Sequence, residues 1–237
     1  MPVGVGWVNR RVRSMPEKAV ARPGGGGSLG GFPVMELQIP PGQFAGYIFD
    51  CDGTLVDTMP LHHRAWSLAL QRAGLRGELD EDLFYSLGGV PTRRVAELLG
   101  AHYGLAVDAD RMFVEKEEIF LELQGELRVI PAVVEFARRV ARDFPVSVAS
   151  GGPKPIVRHT LERVGLAELF PIVVTPEDVT RGKPAPDMFL LAARLMGVAP
   201  EDCLVFEDAT PGVEAARAAG MPCVLVPSRT MARPGVR

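Results

Sequence analysis

Two carboxylates one residue apart, Asp50 and Asp52, end the apolar run Tyr47-Ile48-Phe49 and lead into Gly53-Thr54-Leu55-Val56-Asp57-Thr58. A short apolar run is how a parallel strand buried on both faces reads, and ligands of open α/β sheets bind just beyond the carboxyl ends of such strands. Both aspartates fall at that edge. Gly53 lets the backbone turn sharply, so that two carboxylates, or one carboxylate and a backbone carbonyl, converge on one hard cation, with magnesium the natural candidate. Two other readings compete. An isolated Asp-x-Asp-Gly serves equally as a turn or helix cap. A calcium loop of the EF-hand kind wants Gly at its sixth position and a closing Glu, whereas here Gly comes fourth and no Glu closes the loop.

The elements that would position these carboxylates follow from the alternation of apolar runs with helical segments after Gly46. The expected fold class is α/β: a Rossmann-like core with a mostly parallel sheet and helices on both faces, plus an inserted all-helical cap domain. Strands are expected at Gly46 to Asp50, Val146 to Ser150, Ile172 to Thr175, Cys203 to Phe206 and Cys223 to Val226. Crossover helices are expected near Ala132 to Ala141, Ile156 to Val164, Asp187 to Met196 and Gly212 to Ala219, several of them stopped by Gly165, Gly197 or Gly220. Between the first two strands lies a helical insertion with Leu61, Ala65, Leu68 and Ala69 at helical spacing, too long for a simple crossover. The expected division is an extension over residues 1–42, a core from 43–58 and 132–237, and a cap over 59–131 joined by linkers near Thr58 to Pro60 and Val129 to Pro131. A cap over the carboxyl edge of the sheet would act as a lid that excludes water from a charged centre. A fixed helical decoration is the alternative.

The first four expected strands each lead into polar groups of a type that phosphoryl chemistry needs. Asp50 and Asp52 follow the first strand, Ser150-Gly151-Gly152 the second, Lys183 the third, and Glu207-Asp208 the fourth. A lone strand-end Ser is more often a cap, a lone Lys more often solvated, and an acidic pair more often a turn. Four together at the same edge of one sheet point to a single site rather than to four separate caps and turns.

Composition narrows the class further. The chain of 237 residues is 47% hydrophobic, enough for a sizeable core, and no apolar stretch approaches the ~20 residues that span a bilayer. Residues 1–34 hold Arg10, Arg11, Arg13, Lys18 and Arg22 against Glu17, a balance of +4 that leaves −7 for the remainder of the net −3. An acidic body disfavours nucleic-acid binding through a broad basic face, and no membrane partner is expected. The extension contains Gly24-Gly25-Gly26-Gly27-Ser28 and reads as a flexible leader, with Met35 the expected natural start and residues 1–34 dispensable. Cys51, Cys203 and Cys223 form no CxxC pair, which fits a reducing cytoplasm. Cys51 should point away from the aspartates on either side and act as a buried small hydrophobe rather than a nucleophile.

These motifs resemble those of the haloacid dehalogenase superfamily, in its magnesium-dependent phosphatase branch with a helical cap after the first strand. The resemblance covers residues 46 to 228 and rests on Asp50 to Thr58, Gly182-Lys183-Pro184-Ala185-Pro186-Asp187 and Phe206-Glu207-Asp208-Ala209. It implies that Asp50 is the nucleophile, forming an aspartyl-phosphate, and that Asp52 protonates the leaving alcohol and then activates water. It implies a Mg²⁺ ion held by Asp50, the Asp52 carbonyl and Asp208, with Glu207 supporting it through water. Ser150, Gly151 and Lys183, with backbone N–H groups near Gly151 and Gly53, would hold the phosphoryl oxygens. Asp57 would brace the loop or cap the helix. The metal answers an electrostatic need: a carboxylate about 4 Å from one negative charge repels it by up to ~4 kcal/mol at an effective dielectric near 20.

The segment Pro60-Leu61-His62-His63-Arg64-Ala65-Trp66 resembles the subgroup of β-phosphoglucomutases and fructose-1-phosphatase-like proteins, which implies a small phosphorylated metabolite, a sugar phosphate, as substrate. In the mutases, residues matching His62, Trp66 and Lys116 serve gating or substrate contact; a solvated His62 and a core Trp66 are the alternatives. Mutases also carry Lys and Arg on a cap loop to grip a distal phosphate, and those positions here are Gly88 and Thr92, leaving Arg93 or Arg94 as the substitutes. A phosphatase is therefore expected over a mutase. A regulator that binds phosphosugars without turnover would be expected to lack the nucleophile or the acid, and both are present. The chain is expected to act as a monomer, with a dimer as the alternative.

Overall fold

The computed structural model describes residue 35, residues 37–88 and residues 90–227. The expected leader over residues 1–34 and the last ten residues lie outside them. Five strands form one sheet: β1 (Gly46–Phe49), β2 (Val146–Ala149), β3 (Ile172–Val174), β4 (Cys203–Glu207) and β5 (Cys223–Leu225). All pairings are parallel, in the order β3-β2-β1-β4-β5. Strand order reverses at β1, whose neighbours β2 and β4 run outward in opposite directions. That reversal opens the crevice in which doubly wound sheets hold their ligands, and it lies directly beyond Phe49.

Alternate residues of the strands serve two cores. Tyr47, Phe49, Val146, Val148, Leu204 and Phe206 face one side, where α5 (Pro131–Val140) and α6 (Lys154–Arg163) pack. Ile48, Ala149, Val174, Cys203 and Val205 face the other, beneath α7 (Asp187–Met196) and α8 (Thr210–Ala218). With both faces covered, the strands read as continuous apolar runs, the pattern that made them legible in the sequence. Phe49 stacks on Phe206 with ring centroids 4.7 Å apart, fixing β1 against β4 directly below the site.

The insertion folds as α1 (Met59–Arg72), α2 (Glu81–Ser86), α3 (Thr92–Tyr103) and α4 (Ala109–Leu123), with a single 3₁₀ turn at Gln124–Glu126. Trp66, Leu70, Leu79, Phe84, Val95, Leu99 and Met112 form its own core. Leu61, Ala65, Ala69, Ile119 and Phe120 join α1 to α4, and Ile156 of α6 packs against them. The two chain crossings lie side by side: Val56 and Val129 form an antiparallel bridge, the Asp57 amide donates to the Arg128 carbonyl at 2.8 Å, and the Ile130 amide to Leu55 at 2.8 Å. No described helix is long and apolar enough to cross a membrane.

Candidate active site

The strand-end groups converge. The Asp50 amide still donates to the Phe206 carbonyl at 2.9 Å, so the ladder carries its side chain one residue past β1. Lys183 Nζ donates to Asp50 Oδ1 at 2.7 Å and to Glu207 Oε1 at 2.6 Å. The loop presenting Lys183 is braced by Arg181, which holds both oxygens of Asp187 at the start of α7, and the ammonium lies 5.1 Å from the Phe189 ring centre. Glu207 is fixed at its second oxygen by the Ala209 amide at 2.8 Å. Asp50, Glu207 and Asp208, all buried, place one carboxylate oxygen each within 4.8 Å of one another.

Two glycines clear the space for these acids. A Cβ on Gly53, whose φ is +84°, would lie 2.3 Å from Asp208 Oδ2; one on Gly212 would lie 1.7 Å from Glu207 Oε1. The Gly53 amide donates to the Val56 carbonyl at 2.8 Å and closes the turn, so here it is committed to the loop rather than to a ligand. Thr54 Oγ1 donates to Asp208 Oδ1 at 3.3 Å.

Carboxylates crowd this cluster. Three carboxylates face one ammonium, and the Asp50 carboxyl is held well above its usual range, first by burial, with Lys183 opposing and Glu207, Asp208 and Asp52 adding to the rise. Burial works against the Lys183 ammonium too, yet Asp50 and Glu207 outweigh it and push its pKa up. A divalent cation would relieve the mutual repulsion of carboxylates gathered within 4.8 Å of one another. The donors are hard carboxylate oxygens, the set magnesium prefers, so the residues present fit that ion.

Asp52 belongs to a different network. Thr58 Oγ1 donates to Asp52 Oδ1 at 2.7 Å, Ser150 Oγ donates to Asp52 Oδ2 at 3.3 Å, and His62 Nε2 lies 3.4 Å from Oδ1. Thr58 stands at the N-cap of α1, but its hydroxyl makes no capping bond and reaches Asp52 instead. Lys116 Nζ lies 2.9 Å from His62 Nδ1, and the imidazole stacks on Phe120 at 4.0 Å. Burial and Lys116 hold His62 below its usual range. At neutral pH the ring is therefore uncharged, accepts from Lys116 at Nδ1 and donates to Asp52 through Nε2–H. Burial alone would raise Asp52, but His62, Thr58 and Lys116 together hold it at about 2.

The residues singled out in the sequence thus sort into three groups. Asp50, Lys183, Glu207 and Asp208 meet in one cluster; Asp52, Ser150, His62 and Lys116 meet in another, one residue away. Gly151 is exposed beside Ser150, whose hydroxyl also accepts from the Gly152 amide at 3.1 Å. Two residues stand apart. Trp66 is 3% exposed and packs in the helical core, with Lys116 Nζ 5.9 Å from its ring centre, so it supports the site from behind rather than lining it. Arg93 is not brought to the site: its side chain is 61% exposed, ion-paired with Asp110 and laid over Phe113. Cys51 is fully buried and its thiol is pushed well up by burial and the adjacent aspartates, which rules it out as a thiolate nucleophile. Sequence reasoning missed Thr54 and Thr58 as polar contacts and Gly212 as a clearance. Their signal lay in position, each within two residues of an acid or opening the helix after one.

The family model of haloacid dehalogenase-like hydrolases matches residues 44–220. Fructose-1-phosphate phosphatase YqaB of Escherichia coli (strain K12) is 38% identical over 186 residues, 77% of this chain and 96% of that protein. Hexitol phosphatase A of the same organism is 34% identical over 183 residues, 76% of this chain and 82% of that protein. Among solved structures, CbbY from Rhodobacter sphaeroides in complex with phosphate superposes with a TM-score of 0.72 at 26% identity, covering 79% of this chain and 88% of that one.

Proposed function

The chain belongs to the haloacid dehalogenase-like hydrolases, and from that premise we propose that it is a magnesium-dependent phosphatase of small phosphorylated carbohydrates that passes the phosphoryl group through Asp50. What carries the reading is the division of labour between two carboxylates one residue apart. Asp50 sits in the acid cluster beside Lys183, while Asp52 is held by Thr58, Ser150 and His62. The named activities of the fructose-1-phosphate and hexitol phosphatases support a carbohydrate ester as substrate.

The residues' parts follow from their chemistry. Magnesium, when bound by Asp50, Asp208 and the Asp52 carbonyl, supplies charge neutralisation for an incoming phosphate dianion. An Asp50 oxygen attacks phosphorus, forming an aspartyl-phosphate as the ester P–O bond breaks. Lys183 and the Ser150 hydroxyl turn from their carboxylate partners to the phosphoryl oxygens as charge spreads over them. Glu207, anchored at both oxygens, keeps Lys183 within reach. Asp52 is ionised at rest, but a dianion placed beside it raises its proton affinity, so it takes up a proton from solvent and passes that proton to the leaving alcohol. Ionised again, it draws a proton from the water that releases phosphate. His62 and Lys116, both from the insertion, couple this carboxylate to the helical layer above it.

In the same reading, residues 59–131 are the cap and 43–58 with 132–237 the core. The separate buried clusters and the paired crossings at Val56 and Val129 support that division. A mutase would need a grip on a second phosphate. Gly88 and Thr92 supply no charge there, and Arg93 and Arg94 are engaged with Asp110 and Glu97. The free thiols of Cys51, Cys203 and Cys223 are consistent with a reducing cytoplasm. The test is phosphate release from a panel of hexose, hexitol, pentose and gluconate phosphates with Mg²⁺, with Asp50→Ala as the blank. Turnover above the blank is expected. Conversion of β-glucose 1-phosphate to glucose 6-phosphate without phosphate release would overturn the phosphatase reading.

A further inference from the structure

Among the described residues, Glu117 Oε2 and Gln124 Oε1 are buried side-chain oxygens without a hydrogen-bond partner in the protein. Seven residues apart on α4 and its 3₁₀ continuation, they lie within about 20° of one helical stripe. Gln124 shows where that stripe faces: its Nε2 donates to Thr160 Oγ1 of α6 at 3.1 Å, across the seam between the helical insertion and the sheet-bearing part. Helical spacing places Glu117 two turns up the same stripe of α4. Its Oε1 accepts from Lys116 Nζ at 3.0 Å, and Lys116 reaches His62, which reaches Asp52. An unpartnered carboxylate oxygen, closed to solvent in this structure, therefore sits two side chains from the acid–base group.

We propose that Glu117 determines specificity by accepting hydrogen bonds from hydroxyl groups of the substrate's leaving portion. It would thereby select uncharged, polyhydroxylated leaving groups over those bearing a second phosphate or a carboxylate. The proposal rests on the phosphatase reading above and names what that phosphatase prefers. A carboxylate oxygen accepts hydrogen bonds, so it matches a row of sugar hydroxyls and opposes an anionic end group. Among the described residues, the basic side chains that the sequence offers for a distal phosphate are already engaged. Arg93 and Arg94 are exposed and paired with Asp110 and Glu97, and the Lys116 ammonium is already shared between Glu117 and His62.

The test compares kcat/KM for a hexitol monophosphate with that for a hexose bisphosphate and for phosphoglycolate, with Mg²⁺, in the wild type, Glu117→Gln and Glu117→Asp. Glu117→Gln keeps an acceptor for Lys116 and replaces the free acceptor by a donor. The ratio favouring the hexitol ester should fall about tenfold to a hundredfold, and Glu117→Asp, which keeps the charge, should retain most of the discrimination against the anionic pair. If Glu117 serves only to hold Lys116, all esters fall together and the ratio stays, which overturns the inference. A second measurement needs no variant: across deoxy analogues of the preferred ester, wild-type kcat/KM should drop about tenfold where the hydroxyl bound by Glu117 is removed, and a flat series counts against it. Absence of turnover on every ester would remove the phosphatase reading and this inference together; turnover with an unmoved ratio removes the inference alone.

Discussion

Replacing Asp50 by Asn should destroy turnover and yet stabilise the metal-free protein at neutral pH. The Asp50 oxygen lies 2.7 Å from Lys183 Nζ and within 4.8 Å of oxygens of both Glu207 and Asp208. At an effective dielectric near 20, the attraction is about 6 kcal/mol and each repulsion about 3.5 kcal/mol, so the pair terms nearly cancel. Desolvation of a buried carboxylate then tips the sum against the charged form, in keeping with a pKa raised well above 3.8. The folded state thus binds this proton more tightly than the unfolded one, so stability falls as pH rises from about 4 through the raised pKa, and the penalty is complete above it. The Asn variant, which keeps the Lys183–Glu207 pair, should gain roughly 1–3 kcal/mol at pH 8, lose that gain near pH 4, and fall behind the wild type once Mg²⁺ is added. Urea denaturation followed by circular dichroism, with chelator and then with Mg²⁺, measures all three. A variant less stable than wild type at pH 8 in chelator, or a gain that persists at pH 4, would refute the electrostatic reasoning.

Three further outcomes are expected. Gly53→Ala places a Cβ 2.3 Å from Asp208 Oδ2 on a backbone with φ of +84°; it should cost about 1–3 kcal/mol of stability and about a hundredfold in phosphate release, read by melting and initial rates. His62→Ala and Lys116→Met should each lower kcat/KM about a hundredfold because they act in series on Asp52. In a double-mutant cycle the pair should then be little worse than either alone, whereas additive losses would show independent roles. Removing residues 1–34, which carry no strand-end motif, should leave turnover unchanged, and lost activity or solubility in the truncated chain would contradict that.

The sheet was legible because burial on both faces writes each strand as an unbroken apolar run, and the expected strands match the observed ones within a residue at each end. Helix α7 matches the expected limits. The starts of α5, α6 and α8 fall one or two residues earlier than expected because Pro131, Pro155 and Pro211 sit inside the first turn. There a proline's missing N–H costs nothing. The Asp50 cluster could be anticipated because each member ends a strand or follows one. The chain from Lys116 through His62 to Asp52 could not be assembled from spacing, since its members lie 54 and 10 residues apart and meet only when α4 packs on α1. Arg93 shows the converse. Its sequence position suggested a distal-phosphate contact, but the nearest opposite charge, Asp110 on α4, takes its guanidinium at the surface.

The most direct test of the account is to mix the protein with Mg²⁺ and a preferred ester, quench in acid within one turnover, and map the phosphorylated peptide by mass spectrometry. The account predicts one added phosphoryl group on the peptide spanning Asp50, labile to hydroxylamine and absent from Asp50→Asn. Phosphate released at full rate with no phosphorylated intermediate, or with the label on another residue, would contradict it.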